Sequence, residues 1–281
     1  MINIDTKEVC FSKYHALGND YLVIEPEMLK RELTEEEIRR ICHRRFGVGS
    51  DGILFGPGTN SKGNFSLRIF NPDGSEAEKS GNGLRIFSRY LWDRSFVENE
   101  EFIIDTKGGE VKSVVKESGL MVSVGMGFVR FTHGPENQME PIKQKIEVND
   151  RSFEYYLANV GNPHCVIFVD KLDDQLAKIY GPVIESDIRF SNRTNVQFVK
   201  VIDRSTIQIE IWERGAGYTL ASGSSSTAAA TVAHVLGHCS SSIDVIMPGG
   251  KINISIENEL YATMTGAVRK VCEGIIDSEV F

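Results

Sequence analysis

The stretch "RIFNPDGSEAEKSGNGL", residues 68–84, returns in altered form as "EIWERGAGYTLASGSSS", residues 210–226. Asn71 falls opposite Glu213, Ser80 opposite Ser222 and Gly81 opposite Gly223, each pair 142 positions apart. Working outward, "ALGNDYLVIE" (16–25) matches "NVGNPHCVIFVD" (159–170), with Asn19 opposite Asn162 at an offset of 143. "GVGSDGILF" (47–55) falls opposite "NRTNVQFV" (192–199), and "GLMVSVGMG" (119–127) opposite "ELYATMTGA" (259–267). Each match alone is weak, because Gly-Asn pairs are common in turns. Their shared order and nearly constant offset argue for a duplication. The expectation is an α+β chain of two pseudo-twofold-related lobes, 1–128 and 129–267.

Within each lobe the runs "VCFSKYHA", "YLVIE", "GILFG", "FSLRIFN" and "EFIIDT" read as short strands bounded by turn residues. After Gly83, Leu84, Phe87 and Leu91 follow the spacing of a core-facing helix. "STAAATVAHVLG" is alanine-rich and ends at Gly237, a second helix at the equivalent place. "TEEEIRRICHRRF" starts acidic and ends basic, which reads as a solvated surface helix. Asp51 and Asp73 sit in glycine turns and read as structural.

The 281 residues are 41% hydrophobic and 25% charged, with a net charge of −8. That balance supplies a core and argues against a general binder of nucleic acid or anionic membrane. The N-terminus shows no secretory pattern, and no apolar run reaches the length of a membrane span. Five cysteines (Cys10, Cys42, Cys165, Cys239 and Cys272) form no C-x-x-C pair, so free thiols in a cytoplasmic protein are expected. The histidines (His15, His43, His133, His164, His234 and His238) lack a metal spacing. His234 and His238 would share a helical face, without a convincing third ligand. Walker, dinucleotide and nucleophile-elbow motifs are absent. A small-molecule partner, without metal or nucleic acid, is the expectation.

Each lobe has a Ser-Gly turn opening its helix. Unpaired N–H groups and the positive dipole end there suit a carboxylate or phosphate, and glycine lets a ligand approach the backbone. Taken singly, Ser80 and Ser222 read as ordinary N-caps. Two such mouths at equivalent places favour a small carboxylate ligand in a cleft between the lobes.

"FSKYHALGNDYLVIE", "RRFGVGSDGILF", "IFNPDGSEAEKSGNG", "GNPHCV", "TNVQFV" and "ERGAGYTLASGSSS" together resemble the diaminopimelate epimerase family, in family order from about Phe11 to beyond Gly266. The resemblance implies two lobes, each a β-barrel-like sheet around a central helix. The segment from about 268 to 281 would pack back on the first lobe. It also implies a cofactor-independent exchange of the LL and meso forms of diaminopimelate, serving lysine and peptidoglycan synthesis, in a possible homodimer.

In that family two cysteines, one per lobe, carry the proton to and from the α-carbon. They belong where this chain has Ser80 and Ser222. A serine hydroxyl is far less acidic than a thiol, so the chain as written is expected to epimerise poorly or not at all. His164 and Glu213 match groups that assist the thiols. Gly81, Asn82, Gly223 and Ser224 match the mouths that hold the α-carboxylate. Asn19 and Asn162 match the paired Gly-Asn loops. Asn71, Asn195 and Arg214 match the set that holds the distal end. Retention of all these favours a Cys→Ser form of an active epimerase. A cofactor-free racemase of another amino acid, such as histidine, and a non-catalytic amino-acid-binding relative are the alternatives.

Overall fold

A computed structural model describes residues 9–29, 31–131 and 140–281. His133 and the first eight residues, read above for a signal, lie outside the described residues. The chain divides into two compact units: the chain through Val124 together with Gly266–Phe281, and Gly125–Thr265.

The first unit contains β1 (Val9–Ala16), β2 (Asn19–Ile24), a short α1 (Pro26–Leu29), α2 (Glu35–Cys42), β3 (Ile53–Thr59), β4 (Phe65–Phe70), β5 (Glu76–Ala77), α3 (Gly81–Asp93), β6 (Phe102–Thr106), β7 (Gly109–Lys116) and the start of β8 (Met121–Phe128). β1 pairs antiparallel with β2, β2 parallel with β3, and β3 antiparallel with β4. β4 pairs antiparallel with β5 and parallel with β6, after which β6, β7 and β8 form a meander.

The second unit repeats this order. It holds β9 (Gln144–Val148), β10 (Arg151–Asn159), β11 (Pro163–Phe168), α4 (Asp174–Glu185), β12 (Asn195–Asp203), β13 (Thr206–Glu213), β14 (Gly217–Thr219), α5 (Gly223–Val235), β15 (Ser242–Met247), β16 (Gly250–Ile256) and β17 (Tyr261–Ala267). β10 to β17 pair as β1 to β8 do, including the parallel pairs β11–β12 and β13–β15. The remaining edge of β10 is taken by β9, which precedes it. The matching edge of β1 is taken by β18 (Arg269–Ile276), from the far end of the chain.

Each unit wraps its strands around one helix. α3 packs against β1, β2, β3 and β7, and α5 against β10 to β13, β15 and β16. Enclosure on all sides explains the composition of α5. Ala228, Ala229, Ala230, Val232 and Ala233 are fully buried. Its hydroxyls turn inward onto the helix itself, Thr227 to Gly223 O and Thr231 to Thr227 O, both at 2.8 Å.

α2 is the amphipathic surface helix expected, with Glu35, Glu36, Arg39 and Arg40 exposed and Ile38, Ile41 and Cys42 on the core side; it ends at Cys42, and Glu37 alone of its charged residues is buried. Thr34 and Glu37 form a reciprocal capping box, and Arg31 grips the Glu37 carboxylate at 2.9 and 2.6 Å. His238 lies beyond the end of α5, so it shares no helical face with His234.

The Arg31 guanidinium, offset in part by burial, holds the Glu37 carboxyl down at about 2. Glu37 therefore titrates lower in the folded than in the unfolded chain. Its stabilisation is complete above the ordinary carboxylate range and disappears as pH falls towards 2. Glu37→Gln should cost about 1 kcal/mol at pH 7. Denaturant titrations of both proteins should show that deficit shrinking steadily on acidification towards pH 2. A deficit independent of pH would mean that the amide reproduces the cap and the ion pair is idle.

Candidate active site

The two enclosed helices begin in the same way. Ser80 has φ −139° and ψ 116°, and its Oγ accepts the Gly83 N–H at 3.1 Å. Ser222 has φ −145° and ψ 123°, and its Oγ accepts the Ser225 N–H at 3.4 Å. Both are N-caps, satisfying one of the four N–H groups that a helix start leaves open. The fit is close at Gly83, where a Cβ would lie 3.2 Å from Ser80 Cβ and Oγ.

In the first unit Ser80, Gly81, Asn82 and Asn19 come together. The Asn82 amide donates to Asn19 Oδ1 at 3.0 Å, and Asn19 donates to Asp51 Oδ2 at 2.9 Å. Asp51 thus does more than shape a turn: it also accepts the Asp20 N–H and Arg44. Asn71 lies apart in the β4–β5 turn, its side chain bonded to Ser75 Oγ at 3.0 Å.

Tyr21 joins this mouth without having been singled out from the sequence. Its hydroxyl lies 3.2 Å from Ser80 Oγ. Its ring leaves no room for a side chain at position 52, where a Cβ would fall 2.7 Å from it. The signal was present in the repeat: Tyr21 lies opposite His164.

In the second unit the Glu213 carboxyl is raised above its usual range by burial, against a hydrogen bond from Ser222 that pulls it down. The Ser222 N–H reaches Met247 Sδ at 3.4 Å. Arg214 stands just past the end of β13, so strand alternation does not decide its direction. Its guanidinium is exposed and donates to Asn192 O at 3.0 Å. Its backbone N–H is held by Asn195 Oδ1 at 3.0 Å, and Asn195 donates to Pro163 O at 2.8 Å. Gly223 is buried and Ser224 partly so, at the first turn of α5.

His164 lies opposite Asn195 on neighbouring parallel strands and is wholly buried. Burial pulls its pKa down to about 3, so the ring is neutral at pH 7. Its Nε2 lies 2.8 Å from Asn162 Oδ1, an acceptor, which places the proton on Nε2. Nδ1 then needs a donor. Gln197 supplies one: its other amide terminus lies 3.1 Å from Ser225 Oγ, and its Oε1 and the His164 Nδ1 are otherwise both buried without partners. Assigning the Gln197 NH2 to the His164 side and its oxygen to the Ser225 hydroxyl satisfies every atom. His164 is thereby joined to the first turn of α5 through Gln197 and Ser225. Neither of these was found from the sequence.

The family model of diaminopimelate epimerase matches residues 11–132 and 156–271. The chain belongs to the diaminopimelate epimerase family. A relative named diaminopimelate epimerase 2, from Nostoc sp., is 57% identical over 275 residues, 96% of each chain. The diaminopimelate epimerase of Carboxydothermus hydrogenoformans is 36% identical over 274 residues, 94% of this chain and 98% of that one. The family is one of isomerases. Among solved structures the fold is shared with a hydroxyproline epimerase from Agrobacterium vitis, at a TM-score of 0.71 and 14% identity over 97% of this chain and 93% of that one. It is also shared with a Bacillus anthracis protein of the PhzF family, at a TM-score of 0.67 and 17% identity over 96% and 99%. The five cysteines lie elsewhere than at the two helix starts.

The His164 assignment has a direct consequence. The unfolded histidine takes up a proton near its ordinary value, and the folded one does not until about pH 3. Its contribution to stability is therefore present at neutral pH and lost as pH falls through that window. Imidazole 15N shifts should show a neutral Nε2–H ring that does not titrate between pH 5 and 8. A midpoint near 6.5 would restore it as an acid–base group.

Proposed function

We propose that this chain is a diaminopimelate-binding epimerase scaffold whose two helix mouths hold the α-carboxylate, and which turns over only when both mouths carry thiols. The observation that carries the reading is the matched capping geometry of Ser80 and Ser222. Inversion at a carbon without a cofactor needs one group to remove the proton and another, on the opposite face, to return one. Each unit supplies one candidate position. A thiolate at an N-cap would receive the same N–H that each serine oxygen receives, which favours its charged form. The helix dipole contributes ~1–2 kcal/mol at most, about one pKa unit. That is far too little to make serine an equivalent base.

The remaining residues divide by chemistry. Gly81, Asn82, Gly223 and Ser224 offer the donors for the α-carboxylate, with Asn19 and Asn162 as neighbouring amides. Glu213, raised by burial, is a proton acceptor beside position 222. His164 orients Asn162. Asn71, Asn195 and Arg214 serve the distal end of the ligand, where the exposed guanidinium suits a second carboxylate. With serine at both mouths the chain binds diaminopimelate without epimerising it.

Ser80→Cys together with Ser222→Cys should produce α-proton exchange and epimerisation without added cofactor, read in heavy water with LL- and meso-diaminopimelate. Either single change should give little epimerisation, because the opposite donor is missing. A double variant that folds and binds diaminopimelate yet exchanges nothing sinks the two-thiol assignment.

In that double-cysteine background, Arg214→Lys keeps the charge and loses the two-pronged grip. A loss of ~1.5–3 kcal/mol corresponds to a roughly ten- to hundredfold drop in kcat/KM. Substrates lacking a distal carboxylate, histidine among them, should suffer much less. Equal losses for both would show that Arg214 serves the fold or the α-carboxylate instead.

A further inference from the structure

Arg85 is the largest fully buried side chain among the described residues, with no exposed surface. It lies in the second turn of α3, enclosed by the sheet. One of its nitrogens, Nη2, donates to Asn82 Oδ1 at 2.5 Å. Nε and Nη1 are buried without hydrogen-bond partners. No carboxylate among the described residues forms an ion pair with it. Burial pulls its pKa down to about 10, which still leaves it cationic at pH 7. A buried ion without a counter-charge is costly, several kcal/mol even after relaxation.

The enclosed helix does not by itself demand this cation. The position 142 residues further on, in α5, is Thr227, which closes a neutral bond onto Gly223 O at 2.8 Å. The same packing problem is therefore solved without charge in the other unit.

What Arg85 does is visible in the line of bonds it starts. Arg85 donates to Asn82, Asn82 donates to Asn19, and Asn19 donates to Asp51, whose other oxygen takes Arg44 Nη2 at 2.5 Å. A guanidinium has no acceptor and a carboxylate no donor. The two charged ends therefore force the direction of every bond between them, and each amide has only one orientation open to it.

We propose that Arg85 is the positioning residue of the α3 mouth, fixing the Asn82 and Asn19 amides in one orientation and keeping an unpaired positive charge beneath the place where a ligand carboxylate docks. The first half concerns this unit alone; the second half rests on the functional reading above. The mouths of α3 and α5 then differ in kind. The first has a buried cation behind it, the second a buried carboxyl group, Glu213, and a neutral ring, so the ligand's negative charge is drawn chiefly to the first.

The test uses Arg85→Met and Arg85→Lys in the full chain, with two readouts. Side-chain amide 15N spectra of the ligand-free protein report the orientation half. Asn82 and Asn19 amide protons should be protected from exchange in the parent and in Arg85→Lys, whose ammonium also only donates, and lose protection in Arg85→Met, while Asn162, in the other unit, stays unchanged. Unchanged protection in Arg85→Met overturns the positioning role. Calorimetry with LL- and meso-diaminopimelate reports the charge half. Arg85→Met should bind at least tenfold more weakly although its melting temperature is equal or higher, and Arg85→Lys should keep most of the affinity. Equal affinity in parent and Arg85→Met overturns the charge half. A folded parent that binds neither stereoisomer overturns the functional reading and the charge half with it, while the amide spectra still decide the positioning role. Should Arg85→Met fail to fold, Arg85→Gln, whose amide can donate or accept, decides the orientation half by the same loss of protection. Lysine must then also outbind Arg85→Gln at least tenfold, or the charge half falls.

Discussion

A helix enclosed by its own sheet must have its first N–H groups satisfied inside the protein. Water cannot do this freely, and an unmet buried donor costs about 1–3 kcal/mol. Both units obey this constraint with the same device: a serine in extended backbone folds its oxygen onto the N–H three residues ahead. Much else follows from the enclosure. The helix can carry few charges, so α5 is built of alanine and of hydroxyls bonded to its own carbonyls. Packing at the α3 cap is close, with a Cβ at position 83 falling 3.2 Å from Ser80, although the α5 cap accommodates Ser225 at the equivalent place.

The same constraint explains why such a place serves chemistry. N–H groups that a cap does not use are fixed donors of a kind that suits a carboxylate. Exchanging oxygen for sulfur at the cap would change acidity while leaving the cap in place. Around this shared core the two units have diverged. Tyr21 stands beside Ser80 where the repeat has His164, and Glu213 stands beside Ser222 where the repeat has Asn71. A reaction that treats the two faces of one carbon differently gains from two halves that share a backbone and differ in their side chains.

The fold was largely legible because it is written twice. A constant offset in the sequence became a constant strand order in the structure, down to the parallel pairs β2–β3 and β11–β12. The helices were legible too, with one departure: the charges of α2 are solvated except that of Glu37, which is drawn inward by its cap and by Arg31. The residues proposed to meet the ligand (Asn19, Asn82, Asn162) belong to short motifs and were singled out from them. Those that hold such residues in position were not. Arg85 belongs to none of the motifs read from the sequence, and only closure of the sheet around α3 buries it. Gln197 and Ser225 are separated by 28 positions, and nothing local joins them to His164.

The edge strands impose an order of events on a growing chain. The second unit is continuous in sequence, and β9, which closes it, is made before β10. The first unit begins earlier yet is closed only by β18. At ordinary rates of translation, the interval between Val124 and Ile276 lasts on the order of ten to thirty seconds. Through that time one edge of β1 has no partner from its own chain, and an unpaired edge is where foreign strands attach. The older half of the molecule is thus the later one to be finished, and a ribosome that stalls shortly before β18 would release a chain with one completed unit and one still open.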